Sequence, residues 1–250
     1  MSDDERRAAA RAALAERLGH RFADARLFDL ALAHPSYTRE TDGDPLYSNE
    51  RLEFLGDAVL QLVVSEWLYR AQPAWDEGQL TTTRSFIVRG PTLARVADEL
   101  ELGAALLLGR AAEQARGRQR ASVLACGLEA LIGAVFVDGG WDAARACVQR
   151  CLESVMAATC ACPPRNPKGE LQELTQERAR RTPEYRLLET GGPAHDRWFT
   201  AEVLLGGEVL GQGRGGSKKE AEQAAARVAL ERLEAPAGAT SAAVADSNRQ

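Results

Sequence analysis

The stretch Asn49-Glu50-Arg51-Leu52-Glu53-Phe54-Leu55-Gly56-Asp57-Ala58-Val59-Leu60 constrains this chain more than any other. Its acids are interleaved with Leu52, Leu55, Val59, Leu62 and Val63. In a helix turning roughly 100° per residue, Glu50, Glu53 and Asp57 gather into an arc of about 60°, with the apolar residues on the opposite side. One helix therefore has to press into a core while holding three carboxylates together on its other face. Like charges on adjacent turns repel by about 0.2–0.5 kcal/mol per pair, and Arg51 points roughly 100° away from Glu50. The arc is either a solvated acidic face or a seat for a hard cation such as Mg²⁺, which prefers carboxylate oxygen. Spacing alone leaves both open. Phe54 lies beside the acids rather than on the core face, so it packs on a neighbouring helix or forms a contact surface with a second subunit.

Around this stretch the first 158 or so residues read as all-helical. Residues 6–18 form a first helix closed by Gly19, and Ala23–Ala33 a second, stopped at His34-Pro35 because a residue before proline is pushed out of the helical region. The acidic helix runs on to Trp67 or Tyr69. Helices at Gln79–Val88 and Pro91–Leu100 follow, separated at Gly90. Gly109–Arg120, with Arg110, Arg116, Arg118 and Arg120, reads as an exposed, partly mobile basic stretch, either a solvated loop or a phosphate-attracting one. Ala121–Val137 is strongly apolar and ends at Asp138-Gly139-Gly140, and Trp141–Ala158 supplies a last helix. Glu129 sits within the apolar helix, where a carboxylate is expensive to bury unless paired, hydrogen-bonded or bound to a metal.

The texture changes after a linker at 160–165 containing Pro163-Pro164. Leu171–Arg180 is helical, and Glu184–Glu189, Trp198–Leu205 and Glu208–Gly213 are strands, the last two joined at Gly206-Gly207. Ser217 can cap a helix from Lys218 to Leu233. The result is an α-β-β-β-α unit over 166–234, and 235–250 reads as a disordered tail. Lys218 and Lys219 stand at a helix N-terminus, where backbone N–H groups already favour an anion. Solvated lysines are the bland alternative.

Net charge is −5 and pI about 5.4, so any nucleic-acid binding has to come from local patches. No apolar run is expected to span a membrane and no export segment is legible, which points to the cytoplasm. The 5 cysteines are expected to be reduced thiols, and their spacing does not match a structural zinc site.

Asn49–Leu60 resembles the signature helix of the ribonuclease III family, bacterial type. Asn166-Pro167-Lys168 through Gly213 to Ser217-Lys218-Lys219-Glu220-Ala221-Glu222-Gln223-Ala224-Ala225 resembles a double-stranded-RNA-binding domain. The order of the two motifs is that of bacterial ribonuclease III. The resemblance implies an all-α endonuclease domain over 8–159 followed by the small α+β domain. It implies a homodimeric, Mg²⁺-dependent endonuclease, with Mn²⁺ as a substitute. Such an enzyme cuts both strands of double-stranded RNA, leaving 5′-phosphates, 3′-hydroxyls and short 3′ overhangs, in rRNA and mRNA processing. By position, Glu53, Asp57 and Glu129 correspond to metal ligands, with Asp57 and Glu129 catalytic. Glu50 and Glu77 correspond to acids that position substrate and water, and Phe54 to the residue inserted into the partner subunit. Gln172 and His195 match minor-groove contacts, and Lys218 and Lys219 match phosphate contacts.

The chain departs from the family pattern at Cys126, which stands where an aspartate is expected three residues before Glu129. A thiol is a poor substitute for carboxylate at Mg²⁺. The rival implied by this departure is a double-stranded-RNA-binding regulator with a weakened or inactive nuclease site.

Overall fold

Helix α1 (Asp3–Leu18) ends on Gly19, whose φ of 70° closes it in the left-handed conformation. Asp24 then caps α2 (Ala25–Leu32). Pro35 does more than stop that helix: it occupies the first turn of α3 (Pro35–Glu40), which His34 caps. The acidic helix is α4 (Glu50–Ala71). A capping box between Asp76 and Gln79 opens α5 (Glu77–Ile87), after which come α6 (Gly90–Glu99), α7 (Leu102–Ala105) and α8 (Arg110–Gln114). The apolar helix α9 (Ala121–Ala161) is two helices in line, broken where Gly140 takes φ 73° and ψ −165°.

The structure, a computed structural model, describes residues 3–41, 44–193 and 197–234. The expected tail at 235–250 lies outside the described residues. The chain divides into two compact units, Met1–Pro164 and Arg165–Gln250.

The core of the first unit is built on α4 and α9. Leu60, Val64 and Leu68 of α4, Leu128, Leu131, Ile132 and Val135 of α9, and Leu93 and Ala97 of α6 share one buried cluster. Each of the Leu, Ile and Val side chains contributes about 1.5–3 kcal/mol on burial. Leu52, Val59 and Val63 are buried as the helical spacing predicts, but Leu62 is 57% exposed. The helix runs longer than its single apolar stripe, and Leu62 falls at that stripe's edge.

The basic stretch 109–120 is tied down rather than loose. Arg118 donates to the carbonyls of Gly103 at 2.7 Å and Leu106 at 2.8 Å and pairs with Glu113, while Gly117 is buried. Among the described residues α9 is long and apolar enough to cross a membrane, contrary to the sequence expectation. Its apolar residues are instead largely spent on the core of the first unit.

In the second unit, α10 (Pro167–Ala179) is followed by β1 (Glu184–Gly191), β2 (Trp198–Leu205), β3 (Glu208–Gly215) and α11 (Lys218–Glu234). The strands form one antiparallel sheet in the order β1-β2-β3, with Tyr185 opposite Val203 and Thr200 opposite Arg214. The hairpin turn uses Gly206 and Gly207, both at positive φ. Leu171 of α10 and Ala225, Ala229 and Leu230 of α11 close over Val203 and Leu210 of the sheet.

Candidate functional site

Two glycines let α4 and α9 cross closely. A Cβ at Gly56 would overlap the carbonyl oxygen of Glu129, and one at Gly133 would overlap the carbonyl oxygen of Leu52. With no side chain at either position the two backbones touch, and the residues flanking the crossing converge. Glu53 and Asp57 approach from α4, and Cys126 and Glu129 from α9. One ligand atom each from Glu53, Cys126 and Glu129 lies within 4.8 Å of the others.

The electrostatics follow from that convergence. Burial, and then the charges of Asp57 and Glu53, push the Glu129 carboxyl up to about 7. Cys126 is pushed up to about 12, first by burial, then by a hydrogen bond to Glu53 and by the charges of Glu53 and Glu129. The thiol therefore keeps its proton near neutrality and donates it toward the Glu53 carboxylate. Asp57 is held separately: Gln61 Nε2 donates to its two oxygens at 3.0 and 2.9 Å. Asp57 is not in the tight group with Glu53, Cys126 and Glu129, although its charge reaches Glu129.

Glu50 is exposed at the start of α4, where the Ser48 hydroxyl donates to it at 3.0 Å. Glu77 opens α5, exposed, and accepts from the Thr81 hydroxyl at 2.8 Å within its own helix. Repelling oxygens gathered around a half-buried carboxyl are a set that a hard divalent cation fits, since it takes oxygen ligands and cancels their charge. The Cys126 thiol does not suit such an ion.

Phe54 is 81% exposed on α4, and Leu62 and Tyr69 on the same helix are 57% and 73% exposed. At about 100° per residue the three fall within roughly 80° of one another, an exposed apolar face that begins beside the acids at Phe54.

In the second unit Gln172 is exposed on α10, and Lys218 and Lys219 are exposed at the start of α11. The Ser217 hydroxyl accepts from Glu220 N–H at 3.2 Å and Glu220 accepts from Gly216 N–H at 2.8 Å, so side chains fix this helix start. Lys168 ties the helices together, reaching Glu222 at 2.7 Å and lying over the Tyr185 ring. His195 lies outside the described residues.

Gln61, Gly56 and Gly133 escape the sequence reading. Gln61 had a usable signal, since it follows Asp57 by one helical turn on the same face. The glycine pair had none short of knowing which helices cross.

Residues 24–155 match the family model described as ribonuclease-III-like, and 167–233 match the double-stranded RNA binding motif. The chain is 47% identical over 218 residues to a ribonuclease 3 of Pelotomaculum thermopropionicum, covering 87% of this chain and 90% of that one. It is 45% identical over 222 residues to a ribonuclease 3 of Desulforamulus reducens, covering 88% and 90%. Among solved structures, a nuclease domain of ribonuclease III from Campylobacter jejuni superposes with a TM-score of 0.53 at 37% identity, covering 57% of this chain and 95% of that one.

Proposed function

The chain belongs to the ribonuclease III family, and from that premise we propose how it acts. It is a metal-dependent endoribonuclease of double-stranded RNA. In the proposal the metal is Mg²⁺, replaceable by Mn²⁺, and the working form is a homodimer joined along the Phe54 stripe. Both strands are cut, leaving 5′-phosphates, 3′-hydroxyls and short 3′ overhangs, and the work is rRNA and mRNA processing in the cytoplasm. The catalytic domain spans 8–159, the linker 160–165 and the RNA-binding domain 166–234.

The observation that supports this reading most is the convergence of Glu53 and Glu129, with the charge of Asp57 reaching Glu129, where Gly56 and Gly133 bring the helices together. Those carboxylates would hold the ion. When bound, it supplies a water of lowered pKa and positive charge at the scissile phosphate. The protein's own part is to aim the ligands. The Cys126 S–H orients Glu53, and the Gln61 amide orients Asp57. Cys126 serves as a donor to a ligand rather than as a ligand itself. Glu50 and Glu77, at the starts of α4 and α5, position substrate and water. Gln172, Lys218 and Lys219, with His195 by resemblance, hold the duplex by its minor groove and phosphates.

Incubating the purified protein with long duplex RNA across a Mg²⁺ and Mn²⁺ titration should yield short duplexes. Glu129→Gln should abolish cutting while sparing binding. RNA left intact at every metal concentration would sink the reading and leave a binding-only role.

A further inference from the structure

His34 stands at a junction that the machinery above leaves unused. The Ser36 backbone N–H donates to its Nδ1 at 3.1 Å, and the Ser36 hydroxyl lies 2.8 Å from the same atom. That hydroxyl accepts the Gly109 N–H at 3.0 Å, so its own proton is available to Nδ1. A backbone N–H can only donate; Nδ1 is therefore the acceptor, and the neutral ring carries its proton on Nε2. Burial holds His34 below its ordinary range, which agrees with a neutral ring. The backbone here is pinned from both sides: Asn49 N–H reaches the Ala33 carbonyl at 2.8 Å, and His34 N–H reaches the Leu107 carbonyl at 3.1 Å. Because α4 starts one residue after Asn49, the ring feels Glu50 and Glu53, together with Arg39 of α3 and Arg120 just before α9. Among the described residues Nε2–H meets no acceptor, and neither guanidinium joins an ion pair. Both arginines are exposed.

We infer that His34 Nε2–H, held by its backbone next to the start of α4, binds a non-bridging oxygen of an RNA phosphodiester, with Arg39 and Arg120 adding positive potential. The inference rests on the endoribonuclease reading. A polyanion approaching Glu50, Glu53, Asp57 and Glu129 is repelled until their charge is cancelled. The His34 N–H donor and the positive potential of Arg39 and Arg120 supply a compensating hold on the backbone. The Ser36 N–H and hydroxyl, which share the Nδ1 lone pair, hold the ring before substrate arrives, so little side-chain freedom is lost on binding.

Two substitutions separate the contact from the cap. His34→Asn keeps a good capping oxygen for α3 and loses the Nε2–H donor. His34→Gln keeps an amide N–H at the reach of Nε2 and loses the cap. For duplex RNA, His34→Asn should lower kcat/KM about tenfold, chiefly through KM, with Tm preserved. His34→Gln should recover most of that loss while Tm falls by about 3 °C. Arg120→Gln should raise KM and flatten the salt dependence of binding by about one unit of slope. A purely structural His34 gives the reverse order, with His34→Asn cutting like wild type and His34→Gln impaired in step with its Tm, and that result overturns the inference. An unchanged salt slope in Arg120→Gln overturns its cationic part. Wild type assayed alongside keeps the two readings apart. If it does not cut, the endoribonuclease reading fails and carries this one down; if it cuts, the variants judge His34 alone.

Discussion

At the scale of single residues, the site is a contest between charge repulsion and burial, and Glu129 shows which wins. Its carboxyl is pushed up to about 7 from an ordinary 4.5, so between those values the folded protein holds a proton that the unfolded chain has released. Stability of the metal-free protein should therefore fall as pH rises through that window. Thermal unfolding in a chelator across pH 4–8 should show the decline, and Glu129→Gln should flatten it. Cys126 gives the second prediction. Replacing a thiol with a third close oxygen donor should lower the Mg²⁺ concentration needed for half-maximal cleavage, so Cys126→Asp should gain rate at limiting Mg²⁺. No gain there would mean that the S–H bond to Glu53 matters more than the missing ligand. The acids were legible in the sequence because helical spacing alone gathers Glu50, Glu53 and Asp57, and because a carboxylate among Leu128, Ala130, Leu131 and Ile132 needs a partner. The role of the Cys126 proton was not, because it depends on how far the thiol is buried and on Glu53 lying opposite.

At the scale of the element, what matters is how near α4 comes to α9. Gly133→Ala places a methyl against the Leu52 carbonyl, where backbone cannot give way as a flexible side chain would. The helices must part, at a cost of about 1–3 kcal/mol, and Glu129 then withdraws from Glu53. The variant should unfold earlier and lose cleavage by more than its loss of folded protein explains. A thermal melt and a cleavage rate measured on the same sample check this. Sequence periodicity foretold both helices and even the break before Trp141. It gave no sign of the crossing, since Gly56 and Gly133 are 77 positions apart and each reads locally as a mild helix weakener. The apolar stripe on α4 carries its own test. Phe54→Ala should shift sedimentation toward the monomer, because the most exposed aromatic of the stripe is removed and the helix interior is left untouched.

At the scale of the whole molecule, bulk charge does not draw the second unit to a polyanion. The chain carries a net −5, and the span 166–233 balances 11 basic against 11 acidic residues. Hold on a polyanion therefore depends on placement rather than on bulk charge. The change of texture after Pro164 made the second unit legible, because alternating strands and a Gly-Gly turn are local signals. How tightly a helix start is built is not local: the Ser217 hydroxyl accepts the Glu220 N–H, and the Glu220 carboxylate accepts the Gly216 N–H just before the helix. The backbone there is thus partly spoken for, and phosphate attraction falls mainly to the lysine ammonium groups. If so, replacing both Lys218 and Lys219 with Ala should weaken binding to duplexes of any sequence alike and reduce the slope of log affinity against log salt by about two. Cleavage at saturating RNA should keep its kcat, since neither lysine belongs to the unit that carries Glu129. A double variant with an unchanged slope would place the phosphate grip elsewhere, on arginines such as Arg214 or on backbone N–H groups still free at the helix start.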